Sequence, residues 1–309
     1  MKKLTLLPLL STLIFSQAHA DLRGEMEDVY VKAANTILFF TSEDIISSGS
    51  YEFSKEDETL DTTFFPLTHH FESDSDFYNF YVNGSIGYSK YRDDNLNLRG
   101  SLDAIKIKTY ALKMGGGVRM NILEDTDMMI GGSYIYSKVN SDYITTQPLS
   151  PSDSTIEGQI DRALDYVFNS DNDFNTYEFF TSIGYHPTLN EYKPYVTADI
   201  RYFDTKIDDP YATISDVSST ISKLKVGVIT PPVATIVGLP LKLEFYASEV
   251  FISGDMNEAM DTDNFFVLGS TFHLGTTTLI KEVSEVSFDI NIVRGDNLDG
   301  FNFGFGLSF

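Results

Sequence analysis

The chain has 309 residues and carries 22 Lys and Arg against 45 Asp and Glu, a formal net charge of -23 that argues against binding to a nucleic-acid backbone, which needs a positive surface. With no Cys in the sequence, a disulfide framework, a thiolate metal site and a cysteine nucleophile are excluded. Aromatic residues make up 14% of the chain, too many for a disordered protein despite the charge.

The start of the chain has the three parts of a secretory signal peptide. Lys2 and Lys3 form a basic start, an apolar stretch follows them, and Ala18-His19-Ala20 is a small-x-small cleavage site. A short membrane anchor is the less favoured alternative, because the apolar stretch falls short of the roughly 20 residues that a membrane-spanning helix needs. We predict that residues 1–20 direct export and are removed by cleavage after Ala20.

The segment after the signal peptide fits a helix better than a strand. Glu25, Glu27 and Asp28 place negative charge in its first turn, where the positive end of the helix dipole stabilises it. We predict that residues 21–43 form a short helical segment ahead of the first strand.

Apolar and polar residues alternate with a period of two from about residue 44 to the end of the chain. The last segment is the clearest, because Phe301, Phe303 and Phe305 are separated there by Asn302 and Gly304. We predict twelve strands, at approximately 44–56, 58–72, 76–91, 102–123, 126–140, 174–188, 191–207, 217–230, 238–253, 263–275, 278–293 and 299–309.

Two all-β architectures show such alternation: a soluble sandwich with its apolar face inside and a membrane barrel with its apolar face outside. The length of the segments favours the barrel, since strands of soluble proteins usually have about five or six residues. Connections also alternate in length. Short ones fall near 72–76, 123–127, 188–193 and 275–278, and longer ones near 92–101, 141–173, 207–217, 254–263 and 294–300.

We therefore predict a twelve-stranded antiparallel transmembrane β-barrel over residues 44–309. The even number of strands puts both ends of the barrel on the periplasmic side. Tyr88, Tyr134, Tyr136 and Tyr202 are expected at the boundaries between membrane and water, where tyrosine is enriched. Water and charged side chains are expected to fill the lumen.

The C-terminal residues Asn302, Gly304, Leu307 and Phe309 resemble the assembly signal that the outer-membrane barrel assembly machinery reads: a polar residue, a glycine, an apolar residue and a terminal aromatic residue at this spacing. An alternating strand with an unpaired edge can bind a strand of that machinery by β-augmentation. The alternative is an ordinary last strand of a soluble sheet.

The strands, the preceding helix and this terminus together resemble the translocator barrel of autotransporters, which has twelve strands and a helix threaded through its lumen. Only about 24 residues separate the predicted cleavage site from the first strand. The resemblance is therefore to the solitary autotransporter-like barrels, which lack a passenger.

This resemblance implies an integral protein of the Gram-negative outer membrane with a structural or surface-interaction role. A porin-like pore for small solutes is the alternative. The implied partners are outer-membrane lipid and lipopolysaccharide, together with the assembly machinery and periplasmic chaperones during biogenesis. Oligomeric state is left open.

Charged residues on the polar phase of the strands are expected to line the lumen, because charges facing lipid are costly. These residues are Lys113, Arg119, Glu178, Asp199, Arg201, Lys223, Lys225, Lys242, Glu244, Glu285 and Asp289. Two interpretations are open. Either the basic ones hold the acidic N-terminal segment as a plug, or all of them form the solvated wall of a pore.

Neither catalysis nor a cofactor is predicted. Three of the mature histidines, His69, His70 and His186, fall near the periplasmic ends of strands, and His273 faces the lumen by phase. None is expected at the extracellular rim beside an acidic or nucleophilic partner. The acidic residues of the longer loops lack the spacing of an EF-hand, and we expect them to be solvated and bridged to lipopolysaccharide by divalent ions.

Overall fold

The computed structural model of the chain describes residues 46–54, 58–71, 75, 77–96, 103–144, 171–208, 216–276 and 283–308. The predicted signal peptide, the predicted helical segment and the terminal Phe309 lie outside the described residues. No helix among the described residues is long and apolar enough to cross a membrane.

Strands make up most of the described chain. They are β1 (Ile46–Phe53), β2 (Glu58–His70), β3 (Tyr78–Leu96), β4 (Asp103–Leu123), β5 (Thr126–Ile144), β6 (Asp171–Tyr185), β7 (Lys193–Asp208), β8 (Val217–Ile229), β9 (Ala234–Ile236), β10 (Leu239–Gly254), β11 (Asn264–Gly275), β12 (Glu285–Gly295) and β13 (Leu298–Ser308), with one short helix, α1 (Asp255–Met260), among the described residues.

All neighbouring strands pair antiparallel, and the sheet closes on itself. β1 pairs with both β2 and β13, while β10 pairs with both β8 and β11. The three-residue β9 pairs only with the start of β10 among the described strands and stays outside the ring. Twelve strands therefore form a closed barrel, as the sequence predicted.

The barrel has two rims. The terminal rim is the end at which β1 begins and β13 ends, and the loop rim is the opposite end. Two predicted connections were wrong. Strand β11 ends at Gly275 and β12 begins only at Glu285, so the link at the terminal rim is longer than predicted.

The second correction concerns the loop rim, where Asp296 and Asn297 alone join β12 to β13. Arg294 and Asp299 pair across this tight turn at 2.8 Å. The buried Asn297 side chain donates to the carbonyl of Met260 at 3.1 Å, so the turn is fixed onto α1. The polar composition of residues 294–300 predicts a loop. In the structure most of these residues instead belong to the ends of β12 and β13.

The outer face is apolar, as the alternation predicted. Phe303 and Ile290 are 48% and 36% exposed, and neither lies in an interior core. Tyrosines stack between neighbouring strands on this face, with ring centres 5.1 Å apart for Tyr88 and Tyr110 and 5.6 Å apart for Tyr134 and Tyr177. Such amphipathic rings suit a boundary between lipid and water.

The interior differs from the predicted lumen. Its half next to the loop rim contains a cluster of buried apolar side chains, here called the apolar zone: Tyr51, Phe53, Leu60, Tyr91, Ile105, Ile107, Ala111, Ile135, Val139, Phe174, Phe203, Ile221, Val250, Ile252, Met256, Met260, Phe265, Val293 and Leu298. The expectation that water and charges fill the whole lumen was wrong for this half, because its inward side chains are mostly apolar and bury one another away from water.

Helix α1 folds over the apolar zone from the β10–β11 connection, which was predicted as a loop. Gly254 precedes it at φ 85, and a Cβ there would meet the carbonyl oxygen of Ser218 at 2.5 Å. The Asp255 carboxylate accepts from the Ser218 backbone N–H at 2.7 Å, and Met256 N–H donates to the Ser219 hydroxyl at 3.1 Å. Met256 and Met260 thereby enter the apolar zone.

We predict that Phe203→Ala lowers the free energy of unfolding by about 3–5 kcal/mol, because the fully buried ring leaves a cavity. The matched variant is Phe179→Ala on the outer face, where the ring is 62% exposed and lipid can fill the vacated space. Urea unfolding in lipid vesicles measures both. Equal losses would contradict the assignment of Phe203 to a dry interior.

Candidate functional site

A cavity of about 510 Å³ occupies the lumen between the apolar zone and the terminal rim. Seven of the predicted lumen residues line it: Arg119, Asp199, Arg201, Lys223, Lys225, Glu244 and Asp289. The structure therefore places these seven charged residues in the half of the lumen next to the terminal rim. This cavity is the candidate functional site.

A buried carboxylate lies in the barrel wall at mid-height. Glu178 on β6 forms an ion pair with Lys113 on β4 at 2.6 Å and accepts a hydrogen bond from Arg201 on β7 at 2.7 Å. The Glu178 and Lys113 side chains are 0% and 4% exposed, so water screens the pair weakly. The Arg201 guanidinium also stacks 4.9 Å from the centre of the Phe180 ring. The pairing is what allows these charges to remain inside.

A second network lies near the terminal rim around Glu244 on β10. Its carboxylate accepts from the Tyr195 hydroxyl, from Lys225 Nζ at 3.3 Å and from His273 Nε2 at 2.9 Å. His273 Nδ1 lies 2.8 Å from Glu285. Both ring nitrogens thus face carboxylates, and two acceptors on either side of the ring favour the doubly protonated, positively charged imidazole.

Asp289 on β12 is held mostly by neutral donors. The Tyr246 hydroxyl donates to its two oxygens at 3.1 and 3.0 Å, the Thr271 hydroxyl at 2.6 Å and the Asn291 amide at 2.9 Å. Lys225 Nζ lies 3.9 Å from the centre of the Tyr246 ring, a cation–π distance. Asp289 and Glu244 are thus joined through Tyr246 and Lys225.

The remaining predicted residues lie on the same inward phase. Arg119 donates to Asp127 at 2.8 Å, with His186 Nε2 3.4 Å from the same carboxylate. Asp199 is the direct register partner of Lys223, and Lys242 is the partner of His273.

Sequence reasoning missed three polar members of the site, Tyr195, Tyr246 and Asp127. Each shares the inward phase of its strand, which is the signal that could have found them. The sequence analysis assigned only charged side chains of that phase to the lumen, and Asp127 fell in the predicted connection at 123–127.

The chemistry of this wall is ionic rather than nucleophilic. The carboxylates of Asp127, Glu178, Glu244, Glu285 and Asp289 all have hydrogen-bond or ion-pair partners within the wall, and the imidazole of His273 lies between two of them. Among the residues that the structure describes, no group of His, Asp or Glu is arranged to hold a metal ion. The wall can attract and orient small charged solutes.

A closed antiparallel barrel with an apolar outer face and a charged lumen defines an outer-membrane β-barrel protein. The chain matches, over residues 34–305, the family described as "Solitary outer membrane autotransporter beta-barrel domain". The chain belongs to this family, so it is a protein of the Gram-negative outer membrane. The predicted resemblance to autotransporter barrels is confirmed.

Solved structures show the same fold. The β domain of the Bordetella autotransporter Brka is 11% identical at a TM-score of 0.56, with 85% of this chain and 97% of that chain covered. The translocator domain of NalP from Neisseria meningitidis is 10% identical at a TM-score of 0.56, with 95% of this chain and 97% of that chain covered. The transport unit of AIDA-I from Escherichia coli is 9% identical at a TM-score of 0.51, with 92% of this chain and 99% of that chain covered. No curated protein sequence matches the chain.

These similarities fix the location and the class of the protein. An outer-membrane barrel of this type is embedded in membrane lipid. The family is one of membrane barrel domains and not an enzyme family.

We predict that Glu178→Gln destabilises the barrel by about 3–5 kcal/mol, because two cations then lie buried without their carboxylate. The control is Asp142→Asn, which breaks an exposed pair with Lys108 at 3.5 Å and should change stability little, since water screens that pair. Unfolding of both variants in urea checks this. A loss no larger for Glu178→Gln would show that the buried triad is not needed.

Proposed function

We propose that the protein is a closed barrel with a structural or surface-interaction role in the outer membrane, and that it is not an open channel. The observation that carries this proposal is the apolar zone. It places packed aromatic and aliphatic side chains between the charged cavity and the loop rim. A constriction of this kind excludes water and ions, as hydrophobic gates do.

The second candidate function is a pore for small solutes. The charged wall of the cavity favours this function, because a polar interior is typical of barrels that contain a water-filled channel. In that case the cavity would continue past the apolar zone when the barrel opens.

We predict that the purified full chain conducts little in a planar bilayer, and that Met256→Ser with Met260→Ser raises its single-channel conductance. The substitutions remove apolar contacts of α1 from the apolar zone and so wet the constriction. Glu258→Gln, on the exposed face of the same helix, is the control and should change nothing. A high conductance of the unmodified chain would support the pore instead.

The N-terminal segment is the second part of the proposed closure. We propose that Glu25, Glu27 and Asp28 pair with cations of the lumen and that the segment acts as a plug; these acidic residues lie outside the described residues. Deleting residues 21–36 should then raise the conductance further. Unchanged conductance would refute the plug but leave the apolar zone as the barrier.

No catalytic role is part of this proposal. His273 is the histidine inside the described lumen with the most polar contacts, and two carboxylates hold its ring as a cation rather than as a base for a nucleophile.

Lipopolysaccharide and periplasmic chaperones complete the proposed partners, the first through the acidic loops and bridging divalent ions. Export through the signal peptide of residues 1–20 belongs to the same proposal.

The assembly signal is supported by the position of β13. Asn302 and Gly304 face inward on this strand, while Leu307 faces outward and is 46% exposed. β13 forms the seam with β1 that closes the ring, so its edge is unpaired until closure.

We predict that Phe309→Ser lowers the amount of folded barrel in the outer membrane several-fold, while Ser308→Ala does not. Heat-modifiable migration of the barrel on gels, after membrane fractionation, measures the folded amount. Equal amounts for both variants would show that the terminal aromatic residue is not read during assembly.

A further inference from the structure

One acidic side chain on the outer face is surrounded by apolar side chains. Glu249 points outward on β10, with Ala247 and Phe251 as its outward neighbours along the strand. Leu224 on β8 and Phe266 on β11 lie directly opposite it, 46% and 52% exposed. Among the residues that the structure describes, no other outward acidic residue has apolar neighbours on all four sides. A carboxylate facing hydrocarbon is costly, and such residues mark functional contacts.

A matching cation lies in the same row. Glu249 pairs in register with Phe266, and Phe266 pairs with Arg294 on β12. The Arg294 side chain is 69% exposed and pairs with Asp299 at 2.8 Å, which uses only part of its five N–H donors. The row therefore reads acid, aromatic, base across three adjacent strands.

This row is self-complementary. A two-fold axis along the membrane normal through Phe266 would bring the Glu249 of one barrel to the side of the Arg294 of a second barrel, and the reverse, with a height difference of about 7 Å from the strand tilt that the two long side chains can span. The two phenylalanines would meet at the axis. Each carboxylate would gain a guanidinium partner in place of lipid.

The distribution of aromatic residues on the outer face points the same way. All exposed tyrosines of the described residues lie between residues 78 and 202, and none lies on β10–β13. The exposed aromatic residues of β10–β13 are phenylalanines: Phe245, Phe251, Phe266, Phe272, Phe288, Phe301, Phe303 and Phe305. Tyrosine marks a lipid–water boundary, so a face without it suits a contact with protein.

We propose that the outer face of β10–β12, with Glu249, Phe266 and Arg294 at its centre, is a self-association surface that joins two copies of this barrel in the membrane. The contact is isologous, with two Glu249–Arg294 pairs flanking a pair of Phe266 rings. It does not depend on whether the lumen is open or closed.

The absence of Cys from the chain allows a clean test. Phe266→Cys places one thiol per barrel at the proposed axis. Oxidation in native outer membranes should give a disulfide-linked band of twice the chain mass. Leu112→Cys on β4, six strands away around the ring, is the matched control, because Leu112 is also outward and exposed.

The charged pair is tested in the Phe266→Cys background. Glu249→Gln and Arg294→Gln should each lower the yield of linked dimer about threefold to fifteenfold, the range seen for polar contacts between membrane segments. Glu249→Arg combined with Arg294→Glu should restore it. Heat-modifiable migration confirms that each variant is folded.

Three outcomes would overturn the proposal. One is a dimer yield for Phe266→Cys no higher than for Leu112→Cys. Another is a yield that Glu249→Gln leaves unchanged or that the charge exchange fails to restore. The last is a linked band whose mass shows a different protein, which would assign the face to another membrane protein.

Discussion

The structure depends on one constraint: no backbone hydrogen-bonding group can be left unpaired in hydrocarbon. A sheet meets it only by closing, and here the pairing of β1 with β13 removes the last open edges of the ring. Closure then divides every strand into an outward and an inward set of side chains. The apolar outer face, the charged cavity and the ion pairs inside the wall all follow from this division. The outward side chains contact lipid, and the inward side chains contact water or one another.

The interior has two zones because the inward side chains are polar toward one rim and apolar toward the other. Near the terminal rim the cavity is polar, and its carboxylates are held by Lys113, Arg201, Lys225 and His273. Near the loop rim, aromatic and aliphatic side chains pack with α1 into a core like that of a soluble protein. The first zone explains how charges remain inside the barrel, and the second explains why the barrel is proposed to be closed.

Much of this fold could be predicted from the sequence, since a period of two places side chains such as Phe301 and Asn302 on opposite faces without knowledge of the contacts. The apolar zone could not, because the pattern inverts along single strands. On β7 the outward residues change from Ile200 and Tyr202 to Asp204, while the inward ones change from Arg201 to Phe203. The inversion marks where the strand leaves lipid. A sequence analysis that assigns one apolar phase to the whole strand does not detect this change. Partner choices such as Lys113 with Glu178, across an intervening strand, depend on register and side-chain length.

The strands differ in length around the ring, from 21 residues in β4 to 11 in β12 and β13 and 8 in β1. A strand of 21 residues extends about 70 Å, and at a tilt of about 45° it rises about 50 Å, roughly twice the height of the apolar band of such barrels. The loop rim, which the even number of strands predicts to face the cell exterior, is therefore slanted: paired strands would reach into the sugar layer on the β4 flank, while the β12–β13 hairpin would end close to the lipid surface.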